Sequence, residues 1–502
     1  MQRSCQYMNP ASWVITIYLL VGHTACSSST TDNSAAVVKL SASDVAALLG
    51  LQQSDGLKLG DVESDSNGVR LSEIAFQNSS GKDVEIKKIN LRIETPEDLV
   101  YQIAELQVDQ IDFHDWKSNQ RTKATSIKVS HPGPGFIPAI EEAIASTNSG
   151  TELTTGSLAF KKLEIGKIDY VIRAPDSSLT RAGVHDFSIT DATADSLGSL
   201  SVGKIFLGES VSVQDLRVTN VNRKWADFLL GSLSRAKEPG ENGEAADTSR
   251  TLDLGDRVVP FDRFHVDQFA VRFPDPGDPE KYTAFNIKVF EMNIDRSGGG
   301  DFLGLTASAS IDIPLESFPT ELKQMLQSLN RSAFANGATA DASFRMKFDR
   351  DKRIESFDTI AFSAPHLFSI EGSMITRSFA TSLAKLLVQR DVEEDIKATM
   401  LSSLTINYND DGLLSYLVSE RHDHSKSVKD DLREMRKELA DGSDSSHHAA
   451  EIARFIDSPR RISLRVTADS LVPAEQFFNS IFRSKQGDTH PDVKATLSFD
   501  NR

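Results

Sequence analysis

Cysteine is almost missing from this chain: 502 residues carry two, Cys5 and Cys26, both near the start. Everything after Cys26 therefore lacks the means for an internal disulfide framework, a thiol nucleophile or a thiolate zinc site. Basic residues are scarce relative to acids, 55 Lys and Arg against 72 Asp and Glu, which gives a net charge of −17. A chain this acidic, with no distinct basic stretch, is repelled by polyanions, so nucleic acid is excluded as an expected partner and broad docking on anionic lipid is disfavoured. Trp and Tyr number 3 and 7 against 27 Phe, so the cores are expected to be built from Phe, Leu, Ile and Val. Long hydrophobic runs are lacking too. The apolar stretch Trp13 to Val21 would reach about 14 Å as a helix, well short of the roughly 20 residues a membrane span needs.

That stretch sits in a leader of three zones. A polar start with Arg3 as its one positive charge is followed by the apolar run and then by a small-residue exit at Gly22 to Ala25, the shape of an export signal. Thr24-Ala25-Cys26 resembles the end of a bacterial lipoprotein box, in which small residues precede a cysteine that is acylated and becomes the new N-terminus. The place three residues before the cysteine, aliphatic in that pattern, holds His23 here. Two outcomes are open: lipidation at Cys26, or ordinary cleavage near Ala25 or Cys26 that leaves a soluble periplasmic protein. Ser27 to Ser34 reads as a polar tether, and a lone cysteine kept at the junction favours the lipid anchor. Ser27 fits sorting to the outer membrane under the pattern of enteric bacteria. Loss of the leader removes Arg3 and no acid, leaving a net charge of −18.

Beyond the tether, one phrase recurs: apolar, any, apolar, two mostly polar residues, apolar, any, apolar. It occurs at Val69-Leu71/Ile74-Phe76, Val84-Ile86/Ile89-Leu91, Tyr101-Ile103/Leu106-Val108 and Leu158-Phe160/Leu163-Ile165. It returns at Leu200-Val202/Ile205-Leu207, Val211-Val213/Leu216-Val218, Phe264-Val266/Phe269-Val271 and Ile287-Val289/Met292-Ile294, with a weaker copy at Ala182-Val184/Phe187-Ile189. Period-two alternation is the mark of a half-buried strand. The two-residue step changes the face, so a bulge or tight bend is needed if one core is to receive both halves. The distance between phrases varies from 11 to 57 residues, so they fit a large β protein as well as a repeat protein.

Helical spacing is read at Phe136 to Ala145 after the breaker His131-Pro-Gly-Pro-Gly135, and at Lys224 to Arg235. It is read again at Pro319 to Leu329, Thr376 to Ser403, Glu420 to Ala440 and Ser446 to Ile456. The expected fold is α+β: an extended, twisted, mostly antiparallel β-sheet body with helices concentrated in the C-terminal third. The expected division is a signal peptide at 1–25, a flexible tether at 26–40 and a β-rich domain at 41–235. An acidic linker or loop at 236–252 follows, then a second β-rich region with helices at 253–405 and a helical C-terminal module with closing strands at 406–502.

In the last of these, Leu404 to Leu417, then Ile452 to Pro459 and Leu464-Arg465-Val466, resembles the closing segment of uncharacterised β-rich exported proteins of proteobacteria. More remotely, the strand phrases are similar in style to AsmA-like envelope proteins. These resemblances imply an envelope setting and, for the second, lipid handling by a long sheet, with no catalytic residues to carry over.

Candidate sites are few. His422 and His424 in Arg421-His-Asp-His424, with His447 and His448 in Ser446-His-His-Ala449, are candidate metal ligands, although adjacent or alternate positions on a helix do not face one another. The other reading is a pair of solvated helix ends. Ser382 and Lys385 match a Ser-x-x-Lys pattern, but no Lys-Thr-Gly accompanies them, and Phe379, Leu383, Leu386 and Leu387 read as helix core. Ser297-Gly-Gly-Gly-Asp-Phe-Leu-Gly304 lacks the lysine of a phosphate loop and reads as a hairpin turn followed by a strand. Asn409-Asp-Asp-Gly412 reads as a turn, not as a calcium loop.

The expected function is that of a non-enzymatic lipoprotein of a Gram-negative envelope, anchored by Cys26 on the periplasmic side and used for binding or assembly, with no cofactor. Lipid handling is its sharper form, with a hydrophobic or lipid ligand, and it requires a continuous apolar groove on one sheet face. The alternatives are a hydrolase with a sequence-dispersed site and a structural envelope tether.

Overall fold

The computed structural model describes residues 55–65, 68–77, 83–94, 102–115, 120–132, 159–173, 179–193, 195–222, 261–275, 278–295, 302–318, 320–349, 351–352, 354–377, 399–414, 460–482 and 493–500. The chain forms two compact units, Met1–Val266 and Asp267–Arg502.

In the first unit, β1 (Asp55–Lys58) and β2 (Val62–Asp65) pair antiparallel with the two halves of β3 (Gly68–Gln77). Gly60, between β1 and β2, donates its backbone N–H to Ser72 O at 3.2 Å, and a Cβ there would stand 2.4 Å from that oxygen. From β3 each strand pairs antiparallel with the next: β4 (Asp83–Glu94), β5 (Gln102–Asp115), β6 (Gln120–Pro132), β7 (Phe160–Arg173), β8 (Leu179–Ala192), β9 (Ser196–Leu207) and β10 (Val211–Asn222). β11 (Arg263–Asp275) carries the boundary between the units.

On β3, β4 and β7 the buried apolar residues follow the expected phrase, whereas on β9 and β10 Leu200, Ile205, Leu207, Val211, Val213 and Leu216 are half-buried. Val69, Leu71, Ile74 and Phe76 are buried on β3, Val84, Ile86, Ile89 and Leu91 on β4, and Phe160, Leu163, Ile165 and Ile168 on β7. The three-residue step is taken by facing strands together. Pairing runs from Ile165↔Phe187 to Lys167↔His185, and from Phe187↔Val202 to His185↔Lys204, without a shift in register. At the step, alternate strands place one residue at positive φ: Ser126 at 57°, Asp186 at 53° and Asp215 at 49°. A second line follows five residues on, with His131 at 46°, Asp191 at 51° and Asn220 at 52°. A left-handed residue reverses the pleat, so the next apolar side chain returns to the same face after three residues instead of two. Asp and Asn tolerate that conformation better than other side chains do. The strand alongside must also give room. A Cβ on Gly203 would meet the Cβ of Asp186 at 2.9 Å, and one on Gly198 would meet that of Asp191 at the same distance.

In the second unit, β12 (Asp278–Asp295), β13 (Phe302–Pro314), β14 (Gly337–Asp349), β15 (Ile354–Ala364), β16 (Phe368–Arg377), β17 (Met400–Asp410), β18 (Arg461–Pro473) and β19 (Val493–Asp500) also pair in chain order and antiparallel. These strands keep period two and bend by one-sided bulges, at Asp358 on β15 and Ser402 on β17 among others. Helix α1 (Thr320–Asn330) lies between β13 and β14, and α2 (Ala474–Phe482) follows β18.

The expectation of an α+β fold with helices gathered in the C-terminal third is overturned. Among the described residues 80% are in strands and 8% in helix, and α1 and α2 are the two α-helices. α1 stands where Pro319 to Leu329 was read as helical. Of Thr376 to Ser403, the described ends are strand, in β16 and β17. The stretches at 136–145, 224–235, 420–440 and 446–456 lie outside the described residues. The physical reason is length: strands of 10 to 14 residues with bulges bring apolar residues to three- and four-residue spacings that imitate a helix.

Candidate functional site

β12 to β19 form a sheet whose two faces differ in chemistry. One register row runs Met346, Phe357, Met374, Leu404, Val466 from β14 to β18. A second, nearer the other ends of the strands, runs Ala342, Phe362, Ile370, Tyr408, Ile462. Positions between these on the same strands hold Ser343, Arg345, Thr359, Glu371, Asn407 and Arg465, so polar residues occupy the opposite face.

The two apolar rows are covered unequally. Met346, Phe357, Leu404 and Val466 are buried. Close to this row lies a core cluster of Leu401, Leu404, Val466, Val472, Ala474 and Phe477, the last from α2 and fully enclosed. The second row is half-buried, and Phe362 is 37% exposed. An apolar face with one closed end and one open end is therefore present, and its open end is aromatic. Phe362 lies 5.7 Å from Phe368, ring to ring, and Phe368 stacks on Tyr408 at 5.9 Å and 19°. These contacts order the rings without hiding them from solvent.

Polar groups on this face sit at its two limits. At the closed end, Thr376 Oγ1 donates to Glu355 Oε2 at 2.8 Å, and both residues are fully buried, so the carboxylate is hydrogen-bonded as a buried polar group requires. At the open end, Tyr408 donates its hydroxyl to Asp410 Oδ1 at 3.2 Å. Burial, and then the neighbouring Asp410 carboxylate, push the Tyr408 phenol well above its ordinary range, so it stays neutral. Asp410 Oδ1 also accepts the Leu414 backbone N–H at 2.7 Å, Asp411 donates its N–H to Leu367 O, and Gly412 takes φ +139°. β17 runs through Asn409 and Asp410 and the chain bends at Asp411 and Gly412, so the expected turn falls on the last two residues of that stretch, with Asp410 capping the start of the following segment.

Comparison with protein-family models and with curated proteins returned no match to this chain.

Of the other residues singled out from sequence, Cys26, His422, His424, His447, His448, Ser382 and Lys385 lie outside the described residues. Of Ser297 to Gly304, residues 302–304 are described and open β13, as the turn-then-strand reading requires. On the first unit, His185 Nε2 lies 3.4 Å from Asp169, which also pairs with Lys167 at 2.7 Å, beside the edge of the Phe206 ring. All three polar side chains are partly exposed, and this is a surface ion pair. Phe362, Phe368 and Ile370 escaped the sequence reading. For Phe368 and Ile370 the signal was the alternation Phe368-Ile370-Gly372-Met374, which the glycine interrupts, and for Phe362 it was the shorter Ile360-Phe362-Ala364.

Proposed function

We propose that this protein is a lipid-anchored, non-catalytic component of a bacterial envelope whose second unit holds an apolar ligand, a lipid acyl chain, against the open half of its sheet face. The observation that carries this reading is the half-covered row from Ala342 to Ile462, five register neighbours of which none bears a charge. Leaving Phe362 more than one-third exposed forfeits roughly 1 kcal/mol of burial, which a bound chain would recover. The face offers shape and apolar surface with almost no hydrogen-bonding groups, which suits a hydrocarbon tail better than a polar metabolite. The export leader and Cys26 support the envelope setting.

The test is native mass spectrometry of the purified full chain, followed by titration of the delipidated protein with a fluorescent long-chain fatty acid. Phe362→Glu, on the open row, is expected to weaken binding about tenfold or more, because it places a charge against the chain. Ile375→Glu is the control. Ile375 is 38% exposed but pairs with Ser356 and Ser403 on the polar face, and its change is expected to leave binding intact. No bound lipid and no saturable titration would point to a structural tether. Turnover of an acyl ester by the same preparation would point to a hydrolase.

A further inference from the structure

We infer that the ligand's acyl chain lies along β16, in a groove with a blind end at Met374, and that the depth of this groove sets the chain length the protein accepts; the inference rests on the reading of this face as a lipid site. Between the two apolar rows lies a third, Phe344, Ile360, Gly372, Ile406, Leu464, again one residue from each strand of β14 to β18. Gly372 leaves that row without a side chain at its centre. A Cβ there would stand 2.6 Å from Thr405 O, so the backbone of β17 fixes the gap and no other residue fits without moving that strand. A glycine inside a strand weakens it, and such positions recur where a ligand comes close to the backbone.

Exposure follows β16. Ile370, Gly372 and Met374 are all partly open to solvent, and Met374 is so although its register neighbours Phe357 and Leu404 are buried. Ile360 and Phe362 stand on one side of this line, and Ile406 and Tyr408 on the other. The floor from Ile370 to Met374 spans about 13 Å at the rise of a strand. The next residue on the same face, Thr376, is fully buried against Glu355 and closes the line. Its other end opens beside the Phe368 and Tyr408 rings. No charged side chain stands on the line between these ends, and the hydroxyl at the closed end is already hydrogen-bonded. A hydrocarbon chain therefore suits the line, entering tail first with its head group left in water beyond Phe368 and Tyr408. Methionine at the blind end adjusts its unbranched thioether to the tip of the chain.

Two photoreactive fatty acids test this on the delipidated full chain, one with a diazirine at the tail carbon and one with it beside the carboxylate. Labelled residues are assigned by peptide fragmentation. The tail probe is expected to mark Phe357, Met374 or Leu404, and the head probe Phe362, Phe368 or Tyr408. Met374→Trp shortens the groove and is expected to weaken hexadecanoic acid about tenfold or more while changing decanoic acid less than about twofold. Met374→Ala is expected to shift the preference toward longer chains. Two probes that mark the same residues or exchange them, or a Met374→Trp loss equal for both acids in a variant that keeps the wild-type circular dichroism, would overturn the inference and leave the lipid reading standing. Absence of saturable binding at every chain length would remove both.

Discussion

In the first unit the apolar face is closed to solvent along nearly every described strand from β3 to β8, with Leu71, Ala124, Leu163 and Ile168 at 0% exposure. In the second, a face just as apolar is closed toward one end of its strands and half-open toward the other. The two sheets also bend by different means. From β7 to β9 the first steps paired strands together, with a left-handed residue at Asp186 on the middle strand, and keeps its register there, whereas the second inserts single residues into one strand of a pair. An apolar face is therefore a core in one unit and in part a surface in the other.

The largest expected effect tests whether the faces really differ. Ile168→Asp buries an unpaired carboxylate at a site with no exposure, and is expected to destabilise the first unit by more than about 4 kcal/mol. Phe362→Asp on the open row is expected to destabilise by about 1 to 2 kcal/mol. Hydrogen exchange followed by mass spectrometry, resolved to β6 through β8 and β14 through β16, measures both. Equal losses would mean that the second face is as closed as the first.

A smaller effect tests the bending mechanism. Gly203→Val adds a branched side chain where Asp186 already sits at contact distance, and is expected to cost about 1 to 3 kcal/mol, read as a lower denaturant midpoint. Asp186→Asn, which keeps a side chain suited to positive φ, is expected to be close to neutral. A neutral Gly203→Val would show that the line is not held by this close approach.

The smallest concerns acid. Burial works against ionisation of Asp312, yet the Lys288 ammonium at 2.8 Å and the Thr339 hydroxyl at 2.7 Å hold its carboxyl below the ordinary value of 3.8. A lowered folded-state value means stability that is present above 3.8 and lost as pH falls through the lowered value. Asp312→Asn is therefore expected to destabilise by less than about 1 kcal/mol near neutral pH and by nothing in strong acid. A difference between the two proteins that grew on acidification would contradict this assignment.

Much of the first unit was legible before folding. The phrase with its two-residue step marks the buried set on β3, β4 and β7, and its weaker copy at Ala182-Val184/Phe187-Ile189 proves as buried as the others. The reading at Tyr101-Ile103/Leu106-Val108 placed the step too early. Ala104, Leu106, Val108 and Ile111 are the buried residues, so the step falls at Asp109-Gln110. Alanine is apolar enough to be buried but too small to announce it, which let two frames fit the same letters. In the second unit the alternation of β14 begins with Ala338, Ala340 and Ala342 and hides for the same reason. At the other end of the stretch read as helical from Thr376, the strand was illegible because a bulge at Ser402 displaces the apolar period of β17 by one residue.

By itself the sequence determined the period of many strands, several places where that period breaks, the bend at Asp411 and Gly412 and the near absence of cysteine chemistry. Those are local matters, settled by which side chains tolerate water, a pleat or a positive φ. Tertiary structure alone decided that α2 closes one end of the second sheet's apolar face, that Phe362, Phe368 and Tyr408 meet at the other, and that Glu355 finds Thr376 in the interior. Each of these joins residues on different elements, brought together by chain pairing and bulge placement, and hydrophobicity carries no direction that would reveal such partners along the chain.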